Sequence, residues 1–326
     1  MNNYLLYLFF LGSFVYPLQA TLVNIYQLTL NAQQEVYLLG DRHTIASVTT
    51  EQEQLEFFNF FFAEALRTSM RCKVIVERPT PLVKMIDPSP RILADICRDI
   101  DTPALLSIED GEIRCHSLAA HYLLLRYSPK SILISHTYSL GNTSCNLLQL
   151  TYTNVYQEYS YYTALMLQLY QALNNNPRAQ NIAAQKLRDS THALTVFQKT
   201  LEQLNLDSER TVATSIAELY TLYPDTAGTL CKTLADRIYK ISAPLFELSL
   251  LHSIVTTPNQ EKLVVITGNA HTDELLSCLC QLGYVAHPRF GDKESKLALQ
   301  QHDLTCFYNL FFKKTPASRA SNCIIA

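Results

Sequence analysis

The chain has 326 residues, of which 48% are hydrophobic and 17% are charged, so it can bury a sizeable core in one large domain or two small ones. Its formal net charge of −3, without a basic stripe, excludes an electrostatic basis for nucleic-acid binding. Eight glycines and no tryptophan argue against a low-complexity or fibrous protein.

The N-terminal segment has the pattern of a secretory signal peptide. An apolar run at residues 5–18 precedes Gln-Ala and a more polar chain, which predicts cleavage after Ala20. The alternative is an uncleaved membrane anchor, but the run is shorter than the ~20 residues that a span needs. No later stretch looks long and apolar enough to cross a bilayer. We therefore expect a secreted or periplasmic protein, attached to a membrane only if this segment is retained or the C terminus is lipidated.

Residues 35–77 predict a strand, a helix and a second strand. The apolar run EVYLL (35–39) ends at a glycine, as a buried strand does. Thr50 with Glu53 three residues later forms a capping-box pattern at the start of a helix. Apolar residues then recur at helical spacing, and the β-branched run KVIVE (73–77) follows. This is a βαβ unit with parallel strands.

The alternation of strands and helices continues, is interrupted and then returns. We predict strands at 104–108 and 131–135 with a helix at 117–127 between them, and only helices from 146 to 253. A strand at 262–267, a helix capped by Thr272 and ended by Gly283, and a strand at 284–287 complete the pattern.

The prediction is an α/β fold with a mostly parallel central sheet, flanking helices and a large all-helical insert. Its divisions are a signal peptide (1–20), a first α/β half (21–145), a helical insert (146–255), a second α/β half (256–312) and a flexible C-terminal tail (313–326).

Two similar segments place a histidine three residues after a glycine at the end of a predicted strand. They are GDRH at 40–43 and GNAH at 268–271, and Glu77 ends the strand of 73–77. Because ligands of an open parallel sheet bind outside the carboxyl ends of its strands, we expect His43, Glu77 and His271 to share one rim. We interpret Gly40 and Gly268 as sharp-turn residues. Further polar residues expected at this rim are Glu109, Asp110, His136 and His287.

Two imidazoles and a carboxylate are a common ligand set for a divalent metal in a hydrolase. We therefore expect zinc, manganese, cobalt or iron at His43, His271 and Glu77. The same side chains could instead perform metal-free acid–base catalysis. Asp41 could orient a histidine and Arg78 could hold an oxyanion, so Glu77, Asp41 and Arg78 are the candidate catalytic residues. The structural alternative is that each histidine is an ordinary turn residue.

The paired GxxH motifs, with a glutamate after the second strand, resemble the TIKI/TraB superfamily. The matching segments are LLGDRH, VIVERP and VVITGNAHTDELLSCLCQLGY, which cover roughly residues 35–80 and 260–287 and leave the helical middle unmatched. The superfamily also takes in ChaN-like haem-binding proteins and relatives of erythromycin esterase. The first motif here, GDRH, has an acidic residue after the glycine, as the GExH form of these two branches does. The acidic residue is Asp41 rather than a glutamate. The resemblance implies an α/β fold with a helical insert and the site residues Gly40, His43, Glu77, Gly268 and His271, with Arg114 as a candidate for a further family position.

The activity implied by the resemblance is that of an exported metal-dependent hydrolase of the TIKI/TraB type. Its substrate would be a peptide or a small molecule, with peptide bonds as the first expectation and ester bonds as the second. Two other classes stay open. One is a non-catalytic protein that holds haem or another metal ligand at the same rim. The other is a host-interaction protein on a decayed enzyme fold that presents the tyrosine-rich segment 152–170, although aromatic residues at helical spacing are more often packing surface.

The cysteines and the C terminus give two further predictions. Nine cysteines leave at least one unpaired, and no CxxC pattern is present, so most are predicted to be buried thiols. The last four residues, CIIA, fit a prenylation motif at Cys323. Prenylation is cytosolic and a signal peptide directs export, so both hold only if a bacterium exports the protein into a host cell, where Cys323 would direct it to a host membrane. Chance occurrence of the four-residue motif is the alternative.

Overall fold

The computed structural model describes residues 19–30, 34–44, 48–68, 70–77, 106–126, 137–140, 143–258, 262–287, 290–291, 299 and 301–312. The side chains of residues 42–44 are not among those described. The predicted strand at 131–135, Arg78, His136 and the C-terminal tail with Cys323 lie outside the described residues.

Within these ranges, strands and helices alternate at both ends of the chain and helices fill the middle. The first part contains β1 (Gln19–Leu30), β2 (Gln34–Thr44), α1 (Val48–Arg67), β3 (Cys72–Val76), β4 (Leu106–Asp110), α2 (Cys115–Arg126), β5 (Thr137–Leu140) and β6 (Thr143–Asn146). The helical middle contains α3 (Tyr152–Ala172), α4 (Pro177–Gln203), α5 (Val212–Leu222) and α6 (Ala227–Thr256). The last part contains β7 (Lys262–Gly268), α7 (Asn269–Gln281), β8 (Val285–Ala286), β9 (Phe290–Gly291) and α8 (Gln301–Phe311).

The central sheet is mixed, with the strand order β4-β3-β7-β2-β1-β8 and with β9 also pairing with β1. The strands β4, β3, β7 and β2 are parallel, whereas β1 is antiparallel to β2, β8 and β9. The predicted α/β class is therefore confirmed, but the expectation of a mostly parallel sheet is wrong. The reason is β1, an apolar strand that begins at Gln19, beside the expected cleavage site, and turns back along β2.

The two faces of the sheet carry separate hydrophobic cores, because successive side chains of a strand point to opposite faces. Tyr37 and Leu39 of β2 face α1 and α8, where phenylalanines of both helices form an aromatic cluster. Val36 and Leu38 face the helices of the middle region. The helical spacing predicted for α1 is confirmed by buried Phe58 and Phe62, but α1 begins at Val48, so Thr50 is not its N-cap.

The helical middle is confirmed and shares one continuous core with the sheet. Its centre is α6, which packs against α2, α3, α4, α5 and α7. By length and composition α6 could cross a membrane, contrary to the expectation that no later stretch could, but 61% of its most apolar stretch is buried in the fold. Burial of Tyr152, Tyr159 and Tyr170 supports a packing role for most of the tyrosine-rich segment.

The side chains of Cys72, Cys115, Cys231 and Cys278 are buried, as predicted for most of the cysteines.

Helix α7 differs from its prediction at one end. Its N-cap is Gly268 rather than Thr272, which lies inside the first turn and donates to the Gly268 carbonyl oxygen at 3.3 Å. Gly283 ends the helix as predicted and has a φ of +96°, a left-handed conformation that favours glycine.

Gly40 lies inside β2 rather than at a turn, because β1 continues to pair with β2 as far as Thr44. The register between the two strands shifts between Leu22 and Asn24, which places Asn24 opposite Gly40. A Cβ atom on residue 40 would lie 2.2 Å from Asn24 Oδ1 and 2.8 Å from Asn269 Oδ1. Glycine is therefore required here by the close approach of two side chains.

Gly40→Ala should lower the free energy of unfolding by about 2 kcal/mol, because the methyl group overpacks a buried strand pair. The matched control is Gly228→Ala in α6, where the nearest atom would lie 3.8 Å from the new Cβ. The control should be neutral or stabilising by about 0.5 kcal/mol. Equal denaturant midpoints for the two variants would contradict the packing around Gly40.

Candidate functional site

The sheet register brings the two glycine motifs side by side. In the parallel pair β2–β7, Gly40 lies opposite Thr267 and Asp41 lies opposite Gly268. On the other side of β7, Val76 lies opposite Ile266, and the backbone N–H of Glu77 donates to the Ile266 carbonyl oxygen at 2.9 Å. Residues far apart in sequence thus meet at the carboxyl ends of three neighbouring strands.

The side chain of Glu77 is held by donors on two sides. Its Oε2 accepts from the Thr267 hydroxyl and from the Gly268 backbone N–H, both at 2.7 Å. Its Oε1 accepts from Arg114 Nη2 at 2.9 Å. Because Gly268 is the N-cap of α7, this carboxylate also sits at the positive end of the helix dipole.

Arg114 is the cation of the site and is only 3% exposed. It lies in the loop between β4 and α2, and its Nε and Nη2 donate to the two oxygens of Glu112 at 2.9 and 2.7 Å. Its guanidinium carbon lies 4.1 Å from the centre of the Phe246 ring. Burial acts to lower the pKa of Arg114, but Glu112 and Glu77 outweigh it and raise the pKa above the ordinary value.

His271, in the first turn of α7, is the second centre of the site and is 4% exposed. Its Nδ1 lies 3.0 Å from Glu247 Oε1, and its Nε2 lies 3.3 Å from both Arg114 Nη1 and the Tyr239 hydroxyl. A guanidinium can only donate, so Nε2 is assigned as the acceptor and Nδ1 as the protonated nitrogen. The edge of the Phe246 ring, 4.8 Å away between centroids, packs against the imidazole.

Glu247 is a buried carboxylate with two partners. Besides His271, it accepts from Lys186 Nζ at 2.5 Å, and the same lysine lies 3.6 Å from Glu274 Oε2. Burial acts to raise the pKa of Glu247, but the hydrogen bond with His271 and the charge of Lys186 outweigh it and lower the pKa below the ordinary value. Glu247 is therefore ionised at neutral pH.

A cavity of about 520 Å³ lies next to Glu247 and His271, between α4, α6 and the start of α7. Tyr239, Glu247, Lys186 and Ala270 line it, whereas His271 does not. Its volume is that of a small-molecule site.

The predicted metal set is brought together only in part. Among the described side chains, no group of three histidine, cysteine, aspartate or glutamate residues could hold a metal ion. As arranged, Glu77 and His271 do not fit a metal, because both Glu77 oxygens accept hydrogen bonds and His271 Nε2 faces a cation. His43 Cα pairs with Ala20 in the sheet, but its side chain is not described, so the set stays a prediction and no step is derived through a metal.

The other predicted rim residues have different positions. Asp41 lies in β2 beside Gly268. His287 is not at this rim, since its Nε2 lies 2.9 Å from Thr29 Oγ1, near the start of β2 at the opposite end of the sheet. Glu109 points away from the site to Lys73 and Ser253.

Four site residues were missed by sequence reasoning: Glu112, Lys186, Tyr239 and Glu247. Three of them lie in the helical middle, where no strand end marks a functional position. One signal could have indicated Glu247: it is the single acidic or basic residue in the apolar stretch 241–256 of α6, apart from His252.

Comparisons of the chain with family models, with curated proteins and with solved structures found no match.

Glu247→Gln should lower the free energy of unfolding by about 3 kcal/mol at neutral pH, because it leaves Lys186 without its buried counterion. The hydrogen bond with His271 and the charge of Lys186 outweigh burial and lower the folded-state pKa of Glu247 below its ordinary value, so its ionised form stabilises the fold at neutral pH. This stabilisation is lost as pH falls through the folded-state pKa. The free energies of unfolding of the parent and of Glu247→Gln should therefore become more similar as the pH falls. Urea unfolding at a series of pH values measures this difference.

The control is Glu274→Gln, which removes the half-exposed second partner of Lys186 and should cost less than about 1 kcal/mol. If the free energies of unfolding of the parent and of Glu247→Gln differed by the same amount across the acid range, the stabilising role of ionised Glu247 would be contradicted.

Proposed function

We propose that the chain is an exported hydrolase of peptide or ester bonds in which His271 is the general base. The observation that carries this proposal is the buried Glu247–His271 pair. Glu247 holds the Nδ1 proton, so the lone pair of Nε2 is directed toward Tyr239 and Arg114. An imidazole oriented in this way can take a proton from water or from a hydroxyl group.

Arg114 is positioned to stabilise the negative charge that forms when this base acts. Hydrolysis places negative charge on the carbonyl oxygen, and donors held in a water-poor site stabilise that charge strongly. Arg114 Nη1 lies 3.3 Å from His271 Nε2, so the base and this donor are neighbours. The adjacent cavity has room for the acyl group of a substrate.

The resemblance to the TIKI/TraB superfamily supports the hydrolase class, and the apolar run at 5–18 supports export. A metal-dependent form of the proposal keeps His43, His271 and Glu77 as ligands of zinc, manganese, cobalt or iron. Haem binding at the same rim is the non-catalytic alternative. Binding of a divalent metal or of haem at His271 Nε2 would require Arg114 to move away from that nitrogen. The position of Arg114 therefore favours the metal-free form of the proposal.

The test is turnover of a panel of p-nitrophenyl esters and fluorogenic peptides by the purified chain. His271→Gln should reduce kcat/KM by about 100-fold or more, because it removes the general base. The matched control is His302→Gln, on α8 at the other face of the sheet, which should keep the parent activity.

A chelator separates the two forms of the proposal. Full activity in excess EDTA supports metal-free chemistry, and loss that is restored by one of the four metals supports the metal-dependent form. A folded His271→Gln variant with parent activity would contradict both.

A further inference from the structure

Tyr239 and Glu247 both contact the buried His271 and line the cavity, and Tyr239 is the one that carries a hydroxyl group. His271 is 4% exposed and does not line the cavity, whereas Tyr239 does. The Tyr239 hydroxyl lies 3.3 Å from His271 Nε2. A substrate in the cavity would therefore meet this phenol before it met the imidazole.

The three side chains have the order of a hydrolytic triad. The Tyr239 hydroxyl contacts His271 Nε2, and His271 Nδ1 contacts Glu247 at 3.0 Å. A nucleophile within reach of a base, with the base oriented by a third group, is the general signature of covalent catalysis. The 3.3 Å separation is loose, as such contacts often are without substrate.

We propose that Tyr239 is the nucleophile of this site and forms an acyl-tyrosine intermediate. The inference rests on the proposed function, since it uses the same His271–Glu247 pair as the base. The phenol oxygen forms a bond to the substrate carbonyl carbon, and its proton passes to His271 Nε2. Collapse of the tetrahedral adduct breaks the bond to the leaving group, which takes that proton from His271. Water then attacks the acyl-tyrosine and gives one proton to His271. The bond to the Tyr239 oxygen breaks, that oxygen takes the proton back from His271, and the carboxylic acid is released.

The resting state of Tyr239 agrees with this role. A tyrosine phenol is neutral at neutral pH, so it requires a base to react. The hydroxyl of a catalytic serine is also neutral at rest and depends on its histidine in the same way. Arg114, whose Nη1 lies 3.3 Å from the same imidazole nitrogen, can stabilise the negative charge that develops.

A phenol nucleophile also narrows the substrate class. The intermediate is an aryl ester, which is more reactive than an amide or an alkyl ester. Acyl transfer to Tyr239 is therefore favourable from an activated ester or a thioester, and unfavourable from a peptide bond. We infer that the substrate is an activated ester or a thioester rather than a peptide.

Labelling with phenylmethanesulfonyl fluoride tests the nucleophile without requiring turnover. The phenol oxygen bonds to sulfur, fluoride leaves, and His271 takes the proton. Peptide mapping by mass spectrometry should show Tyr239 labelled about 100-fold faster than Tyr161, because Tyr239 contacts the imidazole base and Tyr161 does not. Tyr161, which is 64% exposed, is the internal control in the same molecule.

In His271→Gln, the labelling rate of Tyr239 should fall to that of Tyr161. Glu247→Gln should give a smaller decrease and serves as the second variant if His271→Gln does not fold. Labelling of Tyr239 no faster than Tyr161 in the parent, or at an unchanged rate in both variants, would overturn the proposal.

Ester turnover separates this inference from the proposed function. Mixing with excess p-nitrophenyl acetate should give a burst of p-nitrophenol and an acetyl adduct on Tyr239, both absent in Tyr239→Phe. Steady hydrolysis that depends on His271 but persists in Tyr239→Phe would leave the proposed function standing and overturn the nucleophile. Fast labelling of Tyr239 without hydrolysis of any ester would support the activated phenol and contradict the hydrolase.

Discussion

The buried guanidinium of Arg114 is the interaction on which the rest of the site depends. A cation with 3% exposure is stable only if its charge is neutralised and its donors are satisfied. Glu112 from the same loop and Glu77 from the end of β3 provide the negative charge. The ring of Phe246 in α6 covers one face of the guanidinium. One side chain therefore links the loop after β4, the end of β3 and the central helix of the middle region.

This link makes the helical middle part of the site rather than an appendage of the sheet. The sheet places Glu77 and the start of α7 next to each other, because β3 and β7 are parallel neighbours. Helix α6 places Tyr239, Phe246 and Glu247 against the His271 imidazole. The imidazole is consequently oriented by groups from two regions of the chain. Its chemistry depends on the packing of α6 against the sheet.

The sequence predicted those parts of the fold that depend on local pattern. The apolar runs of β3 and β7, the helical spacing of α1 and the end of α7 at Gly283 follow from residues a few positions apart. The shared rim of Glu77 and His271 followed from a general rule of parallel sheets. Partners at long range are not visible in the sequence. The requirement for glycine at residue 40 comes from Asn24 across the sheet, so the local pattern indicates a turn instead. Nothing near Glu247 in sequence marks it as a partner of His271.

The state of His271 is the most direct test of this account, because base, donors and cavity are all arranged around its Nε2. The measurement is the ¹⁵N chemical shift of both imidazole nitrogens at neutral pH, assigned by comparison with His271→Gln. A neutral ring protonated on Nδ1, with an unprotonated Nε2, is the predicted result. A ring protonated only on Nε2 would contradict the account, since that proton would point at Arg114 and Glu247 Oε1 would lose the hydrogen bond from His271.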